Sequence, residues 1–259
     1  MDADWISRHA LSIWGVLLAA ALLGADVTWR RAVQRREGLD PAARSFLRPM
    51  TATAVFVAML VIATVIAVEV REQAGLTVFD ASLASDLRAN LPVPVLRAIA
   101  WLTQLGNSTV LAIVSVIVAV ALALRRHGRL AMTWLFTLAG TVLINTALKG
   151  WFQRERPLHD HGFVVERSYS FPSGHASGSM VFYGMLAYVL LVVCPPRLHR
   201  PIVVAAVAVI TLVGISRILL QVHYFSDVMA GYATGLAWLT LCVGGAEYFR
   251  LRDGRAAAR

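Results

Sequence analysis

Between Lys149 and Asp227 this sequence gathers ionisable residues that its surroundings avoid. Three blocks stand out: Lys149 followed by Arg156-Pro157, then Pro172-Ser173-Gly174-His175, then Ser216-Arg217 with His223 and Asp227. Together they offer cations, two imidazoles, a carboxylate and a hydroxyl, a set suited to phosphate. A tetrahedral phosphate needs cations and fixed N–H donors around its non-bridging oxygens. Arg156 and Arg217 supply planar bidentate donors, and Lys149 supplies a point charge. Ser173-Gly174-His175 leads into an apolar helix starting near Ala176, where unpaired N–H groups and the helix dipole favour an anion. His223 and Asp227 are spaced i, i+4, so on a helix they share one face. Asp227 can then hold one ring nitrogen of His223 as N–H, leaving the other free to attack phosphorus. His175 is left as the acid that protonates the departing oxygen.

The order and spacing K-x6-R-P, P-S-G-H and S-R-x5-H-x3-D resembles the type 2 phosphatidic acid phosphatase superfamily. That group includes lipid phosphate phosphatases, polyprenyl diphosphate phosphatases, glucose-6-phosphatase and vanadium haloperoxidases. The match is complete at every signature position. The resemblance implies His223 as a nucleophile forming a phosphohistidine, Asp227 as its orienter and His175 as acid–base. Lys149, Arg156, Ser173, Gly174 and Arg217 then form the phosphate cradle, with no metal and no other cofactor, and with inhibition by vanadate. The implied substrate is a membrane lipid phosphate monoester or diphosphate; phosphatidate, phosphatidylglycerophosphate and polyprenyl diphosphate all fit a cradle that sees only phosphate. Two rivals stay open. One is a phosphatase for sugar phosphates or other soluble esters on the same scaffold. The other is a non-catalytic protein that binds or moves phospholipid. A haloperoxidase fits poorly with so many apolar spans.

Those residues must be held by membrane helices. The chain has 259 residues, 58% apolar and 15% charged, with mean hydropathy +0.66, whereas soluble domains carry about 25% charged residues. About 20 apolar residues cross the hydrocarbon. Uncharged runs mark seven candidates, roughly 10–29, 50–68, 107–124, 130–148, 176–194, 201–219 and 228–247. The expected fold is all-α: a polytopic transmembrane helical bundle, with a six-span phosphatase core over 49–249. An N-terminal span and basic loop over 1–48 precede it, and a basic tail follows over 250–259. The net charge of +9 reflects arginines clustered in short loops, a topology signal rather than a nucleic-acid footprint. Arg30, Arg31, Arg35, Arg36, Arg44 and Arg48, then Arg125, Arg126 and Arg129, then Arg197 and Arg200, then the tail, mark one side. That side is expected to be cytoplasmic, with all three blocks on the extracytoplasmic face of a bacterial plasma membrane. The additional N-terminal span sets topology or supports a homodimer.

The segment 69–106 should lie on the outer side, either in the membrane interface or packed against the bundle. Phe79, Leu83, Leu87 and Leu91 recur every four residues, reading as an amphipathic helix ended by Pro92 and Pro94, with a second short helix from Val95 to Leu105. His159-Asp160-His161 reads as a solvated loop, since further metal ligands at suitable spacing are missing. Arg154, Glu155, Glu166 and Arg167 read as rim charges beside the blocks. Asp26 lies four residues before Arg30, so an interfacial ion pair accounts for it. Cys194 and Cys242 have no metal-ligand spacing and read as apolar filler.

Overall fold

The computed structural model describes residues 3–35, 45–158, 162–164 and 166–257, with side chains as far as Arg252. His159-Asp160-His161, Arg36 and Arg44 lie outside the described residues. The described chain is helical: α1 (Ala3–Arg8), α2 (Ala10–Gln34), α3 (Pro49–Arg71), α4 (Gly75–Asn90), α5 (Val93–Leu102), α6 (Ser108–Leu124), α7 (Gly128–Phe152), α8 (Gly174–Val193), α9 (His199–Leu219) and α10 (Phe225–Ala257). Short 3₁₀ turns at Thr103–Gly106 and Pro196–Leu198 precede α6 and α9. Among the described residues, seven helical stretches are long and apolar enough to cross a membrane, each matching one of the expected runs.

Proline sets several boundaries. Pro49 occupies the start of α3, and Pro195-Pro196 ends α8 and opens the turn into α9, positions where the missing N–H costs nothing. Pro92 caps α5, so Pro94 falls in its first turn rather than closing α4. Asn107 caps α6, its side-chain oxygen accepting from Thr109 N at 2.9 Å, which satisfies one of the helix's unpaired donors.

The bundle has a buried centre and an uncovered apolar coat. Half or more of the span residues of α8 and α10 are buried, 50% and 56%, against 6% for α2. The outer helices α2, α3, α6 and α7 instead leave large apolar residues such as Val16, Val61, Ile117 and Leu143 uncovered, a belt that only hydrocarbon can cover over so wide a surface. One core cluster packs Trp134 against Val181, Phe182, Met185 and Leu239 between α7, α8 and α10. The Trp134 indole donates to Ser115 O at 3.0 Å, and the partly buried Trp238 donates to Thr137 O at 2.8 Å, so both rings keep their N–H paired. A second cluster packs Leu83 and Leu87 of α4 and Leu96 and Ile99 of α5 onto Leu219, Leu220 and Val222 at the end of α9. The amphipathic segment is therefore packed on one end of the bundle. Asp26 pairs with Arg30 at 2.8 Å as expected, and also with Arg200 of α9.

The crossing of α8 over α10 is unusually close. A Cβ at Gly231 would lie 2.7 Å from Ser173 O and 3.0 Å from Ala176 Cβ; one at Gly235 would lie 3.0 Å from Ser177 O. These neighbours are backbone oxygens and an alanine Cβ, none of which can swing aside, which is the use of a small-xxx-small pair in a membrane. Gly231→Ala is expected to lower stability by about 1–3 kcal/mol and to reduce turnover with it. Gly245→Ala, which meets nothing within 4 Å, should leave both unchanged. Thermal unfolding and phosphate release in detergent measure the pair.

Candidate active site

Lys149 sits in the last turn of α7, where its ammonium donates to Ser168 Oγ at 3.0 Å and to Tyr169 O. The helix stops because Gln153 adopts a left-handed conformation, φ 44°. The chain then runs without regular structure through Arg154, Glu155 and Arg156, with Glu155 exposed and both arginines turned inward. Arg156 donates through Nη1 to Val222 O at 2.6 Å and faces His223 Nε2 at 3.0 Å, while its Nε holds Ser168 O at 2.8 Å. Ser173 caps α8, Gly174 and His175 form its first turn, and Ser173 N donates to Asp227 O at 2.9 Å. The second and third blocks are thus joined through backbone.

Arg217 lies in the last turn of α9 and is fully buried. Its guanidinium donates to Thr103 Oγ1 at 3.0 Å and to Glu166 Oε1, while Nε is buried without an acceptor. After α9, Gln221 takes a left-handed φ of 51°, and Val222 N and His223 N both turn back onto Arg217 O. His223 is consequently in a turn, not on a helix. Its approach to Asp227 comes instead from the first turn of α10, where Asp227 Oδ2 accepts from Tyr224 N at 2.9 Å, one half of a capping box. His223 Nδ1 stands 3.4 Å from Asp227 Oδ2 and 3.4 Å from Ser170 Oγ, which itself donates to Asp227.

All eight residues singled out in the sequence are brought to one end of the bundle. Glu166 links three of them: besides Arg217, its carboxylate lies 3.7 Å from His175 Nδ1 and 3.9 Å from Arg156 Nη2. A cleft of about 630 Å³ lined by Thr146, Lys149, Arg156, Arg167, Ser168 and Tyr169 opens beside α7 toward this centre.

Sequence reasoning placed Arg154 and Glu166 on the rim, and the structure places both inside. Arg154 donates to Asp227 Oδ1 at 2.7 Å, Ser226 Oγ at 2.7 Å and Asp80 Oδ2 at 2.9 Å. Asp80, by its position between Phe79 and Leu83, read as part of the polar face of the amphipathic helix, yet it shares a buried face with Leu83 and Leu87; a carboxylate on an apolar stripe was the signal. Ser170 and Thr103 carry no pattern that could have found them.

Residues 130–250, which contain all three blocks, match the PAP2 superfamily model. Phosphatidylglycerophosphatase B of Bacillus subtilis is 34% identical over 146 residues, 55% of this chain and 71% of that protein. The chain belongs to the PAP2 superfamily. A second relative by sequence, lipid A 1-phosphatase of Rhizobium johnstonii, is 28% identical over 190 residues, covering 64% of this chain and 72% of its own. The crystal structure of a transmembrane PAP2-type phosphatidylglycerolphosphate phosphatase from Bacillus subtilis superposes with a TM-score of 0.66 at 29% identity, over 76% of this chain and 96% of that one. This PAP2 protein is accordingly an enzyme, a phosphatase built into the membrane.

Burial, and then the charges of Arg156, Arg217 and Lys149, push His223 well below the ordinary histidine range. An unfolded imidazole takes up a proton below about pH 6.5, while the folded one stays neutral. The stability that His223 contributes is therefore intact above that pH and is lost as the pH falls from there through the folded value. The melting temperature of the PAP2 protein in detergent should decline between pH 7.5 and 5, and less steeply in His223→Asn.

Proposed function

We propose that this PAP2 enzyme is a metal-independent lipid phosphatase that hydrolyses a lipid phosphate monoester or diphosphate through a phosphohistidine at His223. The arrangement of that imidazole carries the reading. Nδ1 is backed by Asp227 and Ser170, so it holds the proton, and Nε2 points at Arg156 Nη1, 3.0 Å away. The free nitrogen faces the cations that a phosphate needs.

The substrate's phosphate enters the cradle and replaces the Glu166 carboxylate on Arg217. It supplies an acceptor to the buried Nε that has none, a group whose lack of a partner is costly. Lys149, Arg156 and Arg217 neutralise the equatorial oxygens, which carry the charge in the transition state. The Ser173–His175 turn adds N–H groups at the start of α8. His223 Nε2 forms the N–P bond in line as the P–O bond to the lipid breaks, and His175 gives its proton to the leaving oxygen. A water then attacks the phosphohistidine, returns a proton to His175, and the N–P bond breaks to release phosphate. Because His223 is neutral far below the usual range, the acid limb of kcat/KM should lie below about pH 6.5.

The side of the membrane follows from charge. Arg30, Arg31, Arg35, Arg48, Arg125, Arg126, Arg129, Arg197 and Arg200 flank the span ends away from the blocks, which supports an extracytoplasmic site and a cytoplasmic C-terminus. The six spans of 49–249 then form the chemical body. The relatives named for a phosphatidylglycerophosphatase and a lipid A 1-phosphatase support a lipid-linked substrate.

Purified enzyme in detergent with EDTA should release phosphate from phosphatidylglycerophosphate or polyprenyl diphosphate faster than from a water-soluble sugar phosphate. Vanadate should block it. Brief incubation with labelled substrate should trap an acid-labile, alkali-stable phosphoprotein that is absent from His223→Ala. Full turnover in that variant, or a strict need for a divalent ion, would overturn the mechanism.

A further inference from the structure

Arg154 belongs to no part of the phosphate cradle, yet it is tied to the site more tightly than several residues that do. Its guanidinium spans two carboxylates, Asp227 Oδ1 at 2.7 Å and Asp80 Oδ2 at 2.9 Å, and also donates to Ser226 Oγ at 2.7 Å. Both carboxylates are inaccessible, and the arginine side chain is 14% exposed. It lies over the Tyr224 ring, 4.3 Å from the centroid, a position that fixes the guanidinium plane. The same residue's carbonyl accepts from Ser170 N at 2.8 Å, and Ser170 Oγ donates to Asp227. Arg154 thus reaches Asp227 from two directions, by side chain and by backbone.

Asp80 completes the arrangement from outside the three blocks. It accepts from Ser226 N at 3.0 Å and from Ser226 Oγ, in the first turn of α10, where a carboxylate complements the helix dipole. It is carried by α4, which packs on the end of the bundle through Leu83 and Leu87.

We propose that Arg154 and Asp80 are positioning residues for the phosphatase reaction, a buried charge clamp that locks the Asp227 carboxylate so that Oδ2 alone faces His223. The geometry states the reason. A carboxylate can rotate and offer either oxygen; with Oδ1 held by Arg154, only Oδ2 remains for Tyr224 N, Ser170 and the imidazole. The charge balance gives a second reason. Asp227 draws a proton toward His223, and a protonated imidazole cannot attack phosphorus. Arg154 offsets that pull, and Asp80 keeps Arg154 from cancelling it altogether. The inference rests on His223 being the nucleophile.

The charged groups facing His223 are Asp227 on α10, Lys149 on α7, His175 on α8, Arg217 on α9, and Arg154, Arg156 and Glu166 on the connection between α7 and α8. Removing Arg154 leaves Asp227 closest and least opposed. Arg154→Met should therefore lower kcat by about 100-fold, the scale of a misplaced catalytic group, with KM changed by less than about threefold. It should also raise the acid limb of kcat by about one pH unit. Asp80→Asn leaves Arg154 less opposed, so its kcat should fall while the acid limb stays or moves lower. Arg154→Lys keeps the charge but cannot span two carboxylates; it should lose kcat without raising the limb, and it serves if Arg154→Met does not fold. A fold clamp without a role in positioning would lower the melting temperature and leave the pH profile of the folded fraction unmoved. That outcome, or wild-type kcat in Arg154→Met, overturns the proposal. Labelled phosphoprotein trapped from wild type is measured alongside. Its absence would count against His223 as nucleophile, whereas its presence with an unmoved acid limb in Arg154→Met would count against the clamp alone.

Discussion

The site depends on how closely two helices can approach. The second sequence block opens α8 and the third ends at Asp227 in the first turn of α10, and the two meet because Gly231 and Gly235 let the backbone of one helix rest on the other. In hydrocarbon no hydrophobic gain separates helix–helix from helix–lipid contact, so packing at this range supplies the attraction. The consequence is local: Ser173 N reaches Asp227 O, and the start of α8 is fixed beside the carboxylate that faces the His223 imidazole. A wider crossing would keep both helices and lose their register.

A second constraint is the cost of charge in a dry place. Arg217, Asp227, His223 and Asp80 are all buried, and buried charges persist only when paired and hydrogen-bonded. Two carboxylates outside the three blocks meet that need. Glu166 lies among Arg217, Arg156 and His175, where a phosphate would also be drawn. Asp80 answers Arg154. The first is partly exposed, its side chain 21% accessible; the second is fully enclosed.

The amphipathic segment has its part in this framework. Its helices were legible from the four-residue recurrence of Phe79, Leu83 and Leu87, but its place on the bundle was not, because an apolar stripe is buried equally well by lipid or by protein. Packing against the end of α9 decides the matter and carries Asp80 to the first turn of α10 and Thr103 to Arg217.

Much was determined by the sequence alone. Runs of uncharged residues set the seven spans, since hydrocarbon thickness dictates length. Prolines and Asn107 set helix ends through local chemistry. The fixed spacing of the three blocks marked the eight residues that converge. Tertiary structure decided the rest. The i, i+4 spacing of His223 and Asp227 suggested a shared helix, whereas the left-handed Gln221 puts the histidine in a turn. Arg154 and Glu166 looked like rim charges because a charge in a loop is ordinarily solvated. Whether such a charge is covered depends on partners more than fifty residues away, Asp80, Asp227 and Arg217, and no local pattern records those.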